Sequence, residues 1–303
     1  MVADRAAQHG GTLGGLGQRP AQGALVALAR FAQQRPLGGI GLGLVLVACG
    51  TAVFASVLSP FDPLDLHGGQ EFVAPGAQFW LGTDNVGRDI LSRILYGGRI
   101  SLYVGLVAVL VGNTLGSLAG LVSAYFGGMF DTVLQRVVDA MMAFPLLVLA
   151  LAIVAVLGPS VNNVVAAISV ILFPQAARVI RSAVLSIKEN PYVDAARAIG
   201  AGQARIIFMH VLPQCMAPYL VLASTAIGWA IVVEASISFL GAGPPPPTPT
   251  WGGMLSGAAR LYAESAPWMV VFPGLAISLA VFGFNLLGDA LRDVLDPRLR
   301  GSQ

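Results

Sequence analysis

Six apolar runs, each long enough to cross a lipid bilayer, constrain this chain more than any other feature of its sequence. The first, Leu37 to Leu58, has 22 residues. As a helix it rises about 33 Å, enough for a hydrocarbon core of about 30 Å. A secretory signal carries a shorter apolar stretch, roughly 7–15 residues, so this run reads as an uncleaved span. Further runs lie at about 101–125, 136–157, 161–181, 216–240 and 268–288. Only Gly158-Pro159-Ser160 separates the third from the fourth, as a tight turn between antiparallel helices would. The expected fold class is therefore all-α, a polytopic membrane protein of six transmembrane helices. Composition agrees: 11% of residues are charged, less than half the usual share of about 25%. A soluble domain of this size could not cover its surface with so few charges.

Several functions are excluded by what the chain lacks. A net charge of +2 is too small to argue for nucleic acid. Cys49 and Cys215 fall in different segments and form no C-x-x-C, so neither a disulfide framework nor a zinc site is expected. A phosphate-cradling loop needs G-x-x-x-x-G-K-[ST]. The single lysine, Lys188, follows Ile187. H-E-x-x-H and G-x-S-x-G are absent as well, and no enzymatic activity is expected of this chain.

Orientation follows from the basic residues. With the N-terminus inside, 13 of the 17 Lys and Arg lie on the cytoplasmic side, and Arg88, Arg93, Arg99 and Arg260 lie outside. Both termini are thus expected in the cytoplasm. The chain divides into a flexible tail at 1–36, a first helix at 37–58, and an extracytoplasmic segment with an interfacial helix at 59–100. A five-helix core follows at 101–290, and a C-terminal tail at 291–303. In the second span Gly112, Gly116 and Gly120 share one helix face, a doubled G-x-x-x-G that permits close helix packing.

The most structured polar segment is the loop at 182–215, on the expected cytoplasmic side. Asn190-Pro191 suits an N-cap and first helical position. Tyr192, Ala195, Ala196 and Ile199 then fall on one apolar stripe. Gly200-Ala201-Gly202 ends that helix, because glycine supplies the positive φ of a helix stop. A second short helix is predicted from about Gln203 to Val211, stopped by Pro213. Two short helices joined by a glycine turn make a compact knob, and small alanines let another surface come close.

Asp194-Ala195-Ala196, then Gly200, then Leu212-Pro213 resembles the "EAA" loop of permease subunits of bacterial ABC importers. Asp194 stands where that family usually has Glu, and His210 where it usually has Ile; both are similar to the dipeptide, oligopeptide and nickel branch. The stretch Leu81-Gly82-Thr83-Asp84 to Gly87-Arg88-Asp89, with Ser92-Arg93, Gly98-Arg99 and Ser101-Leu102, looks like the same branch. So does Ser238-Phe239-Leu240-Gly241 followed by Pro244 to Pro247, Pro249 and Trp251-Gly252. Read physically, the first stretch is an amphipathic helix at the outer interface. In it Asp84 caps, Val86, Ile90 and Ile94 line one face, and Arg93 pairs with Asp89 four residues earlier. The prolines of the second stretch impose a stiff, extended outer loop.

The resemblance covers about residues 37–300 and implies a type I ABC importer permease fold in a bacterial cytoplasmic membrane. It implies no cofactor or metal on this chain, with ATP and Mg bound by two partner ATPase subunits. A homologous second permease and an extracytoplasmic solute-binding protein complete the expected assembly. Peptides lead as substrate, with nickel, glutathione and related small solutes open. The loop would be the coupling element: Tyr192, Asp194, Ala195, Ala196, Arg197, Gly200, Ala201, His210, Leu212 and Pro213. For His210 alone, packing within the knob is favoured over metal or proton relay.

Polar residues inside spans usually face protein or water. Asn113, Thr114, Ser117, Met141, Met142, Phe144 and Ser236 are candidate path residues, with ordinary helix contacts as the alternative for each. Glu234, in the outer third of span five, is either a gate or a structural acid paired with an outer arginine such as Arg99. The rival function is a secondary transporter, which would place driving acids and broken helices near the midplane. A channel would need a filter or charged ring, and neither is visible.

Overall fold

The computed structural model describes residues 35–295. The expected tail at 1–34 and the stretch 296–303 lie outside the described residues. The architecture is all helical, with no strand element among the described residues. Helix α1 spans Pro36–Val53 and a short turn of helix, α2, spans Ala55–Leu58. After a turn-rich segment at 59–89 comes α3, Ile90–Phe126. Then follow α4 at Gly128–Met142, α5 at Leu146–Leu157 and α6 at Val161–Ile187. Beyond them lie α7 at Pro191–Ala198, α8 at Gln203–Ile206, a π-helical turn at Ile207–Val211 and α9 at Leu212–Phe239. Two short helices, α10 (Trp251–Met254) and α11 (Ala258–Leu261), precede α12, Trp268–Leu295. Five helical runs are long and apolar enough to cross a bilayer, and the bent pair α4–α5 makes a sixth.

The central contact is α3 against α6, through the doubled G-x-x-x-G. Gly112, Gly116 and Gly120 face Ser169, Phe173 and Ala177 at matching four-residue steps. A Cβ on Gly112 would stand 2.5 Å from the Ser169 carbonyl oxygen, and the two later positions are tighter still. The backbones touch only because these side chains are missing. Ser169 Oγ reaches the Ala108 carbonyl across the same seam at 3.3 Å. Helix α9 runs antiparallel to α12, with Gly228 beside Asn285 and Gly288 beside Thr225. Helix α1 lies along α12, where Arg35 Nη1 meets Asp293 Oδ2 at 3.1 Å.

The segment before the second span departs from expectation in three ways. No separate interfacial helix precedes the second span: its residues from Ile90 onward are the first turns of α3. The helix runs on through Gly97-Gly98, where the Trp251 ring packs 3.0–3.4 Å from where a Cβ would stand. The N-cap is Asp89, not Asp84; its Oδ2 accepts from the Ser92 N–H at 2.7 Å. With Asp89 committed to its own first turn, Arg93 turns back to Asp84 Oδ2 at 3.7 Å.

The third span is not one straight helix over 136–157. It breaks at Ala143-Phe144-Pro145, and α4 and α5 meet at 92°. Proline disfavours helical geometry in the residue before it and lacks an N–H to continue the ladder. The 12 residues of α5 reach only about 18 Å. Helix α4 is tied to α6 by two ion pairs that sequence reasoning did not anticipate. Arg181 grips Asp131 with two hydrogen bonds of 2.8 and 2.6 Å, and Arg178 meets Asp139 at 2.6 Å.

Finally, the second short helix of the knob does not stop at Pro213. It continues through the π-turn into α9 as one run, Gln203–Phe239.

Candidate functional site

The knob begins where α6 ends. Lys188 caps α6, and its Nζ donates to the Ala124 carbonyl at 3.1 Å, tying that end to the end of α3. Asn190 sits in extended backbone before Pro191 at the first helical position. Helix α7 then buries Val193 and, of the stripe read from the sequence, Ala196 alone. These two residues join Ile206, Val211, Leu121, Ala124, Ile180 and Val184 in one apolar cluster. The knob is therefore packed onto the ends of α3 and α6.

The rest of the stripe faces outward. Ile199 is 86% exposed and Tyr192 43%, with Ala195 exposed between them. Phe208 and Met209, 67% and 63% exposed, extend the same end of the molecule. Asp194 and Arg197 pair at 3.0 Å on the exposed side. Gly200 adopts φ +81° with open space around it, so glycine is required there by backbone conformation and not by crowding. Its neighbour Ala201 is partly buried.

In the π-turn the Leu212 N–H reaches back five residues to the Ile207 carbonyl. The wider turn lets the helix carry Pro213, which has no N–H to give, at the start of α9. His210 lies in this turn, partly buried, its ring 6.2 Å from that of Tyr192. Among the described residues no cluster of His, Cys, Asp and Glu could hold a metal.

The candidate path residues do not form one surface. Thr114 and Ser117 share an apolar groove between α3 and α9 with Cys215, Met216 and Tyr219. Thr114 Oγ1 and the Tyr219 hydroxyl are hydrogen-bonded at 2.8 Å. Asn113 is buried beside them, and neither its Nδ2 nor the Ser117 hydroxyl has a partner among the described residues. Tyr219 was missed, although it is the only tyrosine in span five. Met141, Met142 and Phe144 collect instead at the α4–α5 break, with Met142 and Phe144 exposed.

Glu234 and Ser236 lie near the opposite end of α9. Ser236 bonds its own helix at the Val232 carbonyl. Glu234 is fully buried, and its Oε1 accepts from the Ser238 hydroxyl at 2.8 Å. Its Oε2 has no partner among the described residues. The expected pairing with Arg99 does not occur. That guanidinium caps α1 instead, donating to the Ala52 and Val53 carbonyls at 2.6 and 2.9 Å. Among the described residues Glu234 thus has the Ser238 hydroxyl as its side-chain partner and makes no ion pair.

A multi-pass bundle of apolar helices with a short exposed knob at one end defines the class, a polytopic membrane protein. Comparison with known proteins gives the family. The chain belongs to the binding-protein-dependent transport system inner membrane component family, whose model matches residues 85–301. It is 42% identical to the dipeptide transport system permease protein DppC of Alkalihalophilus pseudofirmus, over 88% of each chain. It is 43% identical to the di/tripeptide transport system permease protein DppC of Pseudomonas aeruginosa, over 88% of this chain and 89% of that one. The glutathione transport system permease protein GsiD of Pectobacterium atrosepticum is 42% identical, over 89% and 90%.

Proposed function

We propose that this chain is the permease subunit of an ATP-driven importer of short peptides and that the 190–213 knob couples it to separate ATPase subunits. The observation that carries the reading is the outward cap of α7, an eight-residue helix too short to span, on which Tyr192 and Ile199 are exposed. Exposed apolar residues clustered on a buried anchor mark a protein contact. The anchor of Val193, Ala196, Ile206 and Val211 is continuous with α3 and α6, so a push on the cap reaches the membrane helices. The relatives named for dipeptides, di/tripeptides and glutathione support peptides as the cargo class.

In this mechanism ATP and Mg bind the partner ATPases, whose closure moves the knob. The permease pair then switches its cavity from one side of the membrane to the other. A ligand shifts such an equilibrium only by its differential affinity for the two states; here that ligand is ATP, acting on the partners. A homologous second permease and an extracytoplasmic binding protein complete the assembly. The knob and both ends of the chain face the cytoplasm of a bacterial inner membrane, in keeping with the excess of basic residues there.

Co-purification tests the proposal. The wild-type chain should bring down ATPase subunits in fixed proportion, and Ile199→Asp should lose them. Gly200→Val places a branched side chain at φ +81° and should uncouple hydrolysis from uptake or prevent assembly. Coupled uptake by both variants, or proton-driven uptake by this chain alone, would refute the proposal.

A further inference from the structure

At the end of the bundle opposite the knob, the segment before α3 and the loops after α9 enclose a cavity of about 360 Å³. That volume is in the range of small-ligand sites. Three charged residues line it: Asp84, Arg88 and Arg93. Asp84 and Arg93 are each 7% exposed, so this is a built interior cluster.

The single carboxylate is already fully used. Its Oδ1 accepts from the Val86 and Arg88 N–H groups, both at 3.0 Å. Its Oδ2 accepts from Arg88 Nε at 2.7 Å and faces Arg93 Nε at 3.7 Å. Arg93 Nη1 donates to the Pro63 carbonyl at 3.2 Å. Two guanidiniums and one carboxylate thus line the cavity, with the buried Asp89 carboxylate beside them held by Ser92. Arg88, which lines the cavity, makes its ion pair through Nε, and its two terminal nitrogens have no hydrogen-bond partner among the described residues. A guanidinium edge matches a carboxylate with two parallel hydrogen bonds. Met254, Met269 and Pro245 line the same cavity with apolar surface.

We propose that this cavity is a permease-borne subsite for the free carboxylate of a short peptide, met by Arg88, with the methionines receiving the adjoining side chain. The inference rests on the peptide-import reading above and adds a cargo contact on the permease itself.

The test uses the whole permease–ATPase complex in nanodiscs, without the binding protein, whose own recognition of a carboxylate would mask the effect. Binding of alanyl-leucine and of its C-terminal amide is measured by saturation-transfer NMR titration. The free acid should bind about tenfold more tightly than the amide, the worth of one charge-assisted interaction. Arg88→Gln should erase that preference and Arg88→Lys should keep part of it. Met254→Trp, which fills the apolar side without touching the ion cluster, should weaken both probes, and it decides the matter if Arg88→Gln does not assemble. Equal binding of acid and amide, or wild-type binding by Met254→Trp, overturns the subsite. If the complete importer takes up peptides while acid and amide bind alike, the subsite falls and the peptide reading stands. If N-acetyl-leucine binds with the Arg88 dependence but no peptide is transported, the carboxylate site stands and the peptide reading falls.

Discussion

Replacing Gly112 with alanine adds one methyl group at the tightest kind of contact in the molecule. The new Cβ would lie 2.5 Å from the Ser169 carbonyl oxygen and 2.9 Å from its Cα. A carbon normally approaches a carbonyl oxygen to about 3.3 Å and another carbon to about 3.5 Å or more. The shortfall is roughly 0.6–0.8 Å, and the obstacle is backbone, which cannot rotate away as a side chain would. Helices α3 and α6 must therefore separate by about that distance. A gap of that size forfeits about a quarter to a half of the dispersion energy at each atom pair. Overpacking of this kind costs about 1–3 kcal/mol, offset by up to about 1 kcal/mol because alanine favours helix over glycine.

The expected net loss is about 1–2 kcal/mol. At roughly 2–4 °C per kcal/mol for large chains, the melting midpoint of the purified complex should fall by about 2–8 °C. Gly274→Ala is the control, because nothing lies within 4 Å of the added Cβ, and it should be neutral or slightly stabilising. Scanning fluorimetry in one detergent measures both. An unchanged midpoint for Gly112→Ala, or an equal drop for Gly274→Ala, would refute the claim that missing side chains hold the seam together.

Other outcomes follow from the remaining contacts. Glu234→Gln keeps an acceptor for the Ser238 hydroxyl and should fold and retain its ATPase subunits while uptake falls; normal uptake would remove Glu234 from the outer gate. Reversing the α4–α6 pair should expose its worth: Asp131→Arg should lower the yield of folded protein, and adding Arg181→Asp should restore most of it. A double mutant no better than the single would show that the pair does not orient α4. Bulky substitutions at Thr114 and Met142, such as tryptophan, should slow uptake without releasing the ATPase subunits, and unaffected uptake at both would leave the path elsewhere.

Some features were legible in the sequence because they depend on neighbours along the chain. The apolar runs, the Asn190-Pro191 start, the stop at Gly200 and the G-x-x-x-G face are local patterns whose physics acts within a turn or two of helix. Others depended on what came to lie alongside. Pro145 breaks a helix, yet Pro174, Pro218 and Pro273 sit inside helices that continue. Proline removes one backbone bond everywhere, and neighbouring helices decide whether the remaining contacts hold the run together. The stripe of Tyr192, Ala195, Ala196 and Ile199 was visible as an apolar pattern. Only packing decided that Val193 and, of the stripe, Ala196 face inward while Ile199 stays exposed. The charges show the same division: Arg93 could have paired with Asp89, and Glu234 with Arg99, by spacing or depth. The folded chain sent both arginines elsewhere, because a long guanidinium takes whichever acceptors three dimensions bring within about 3 Å of it.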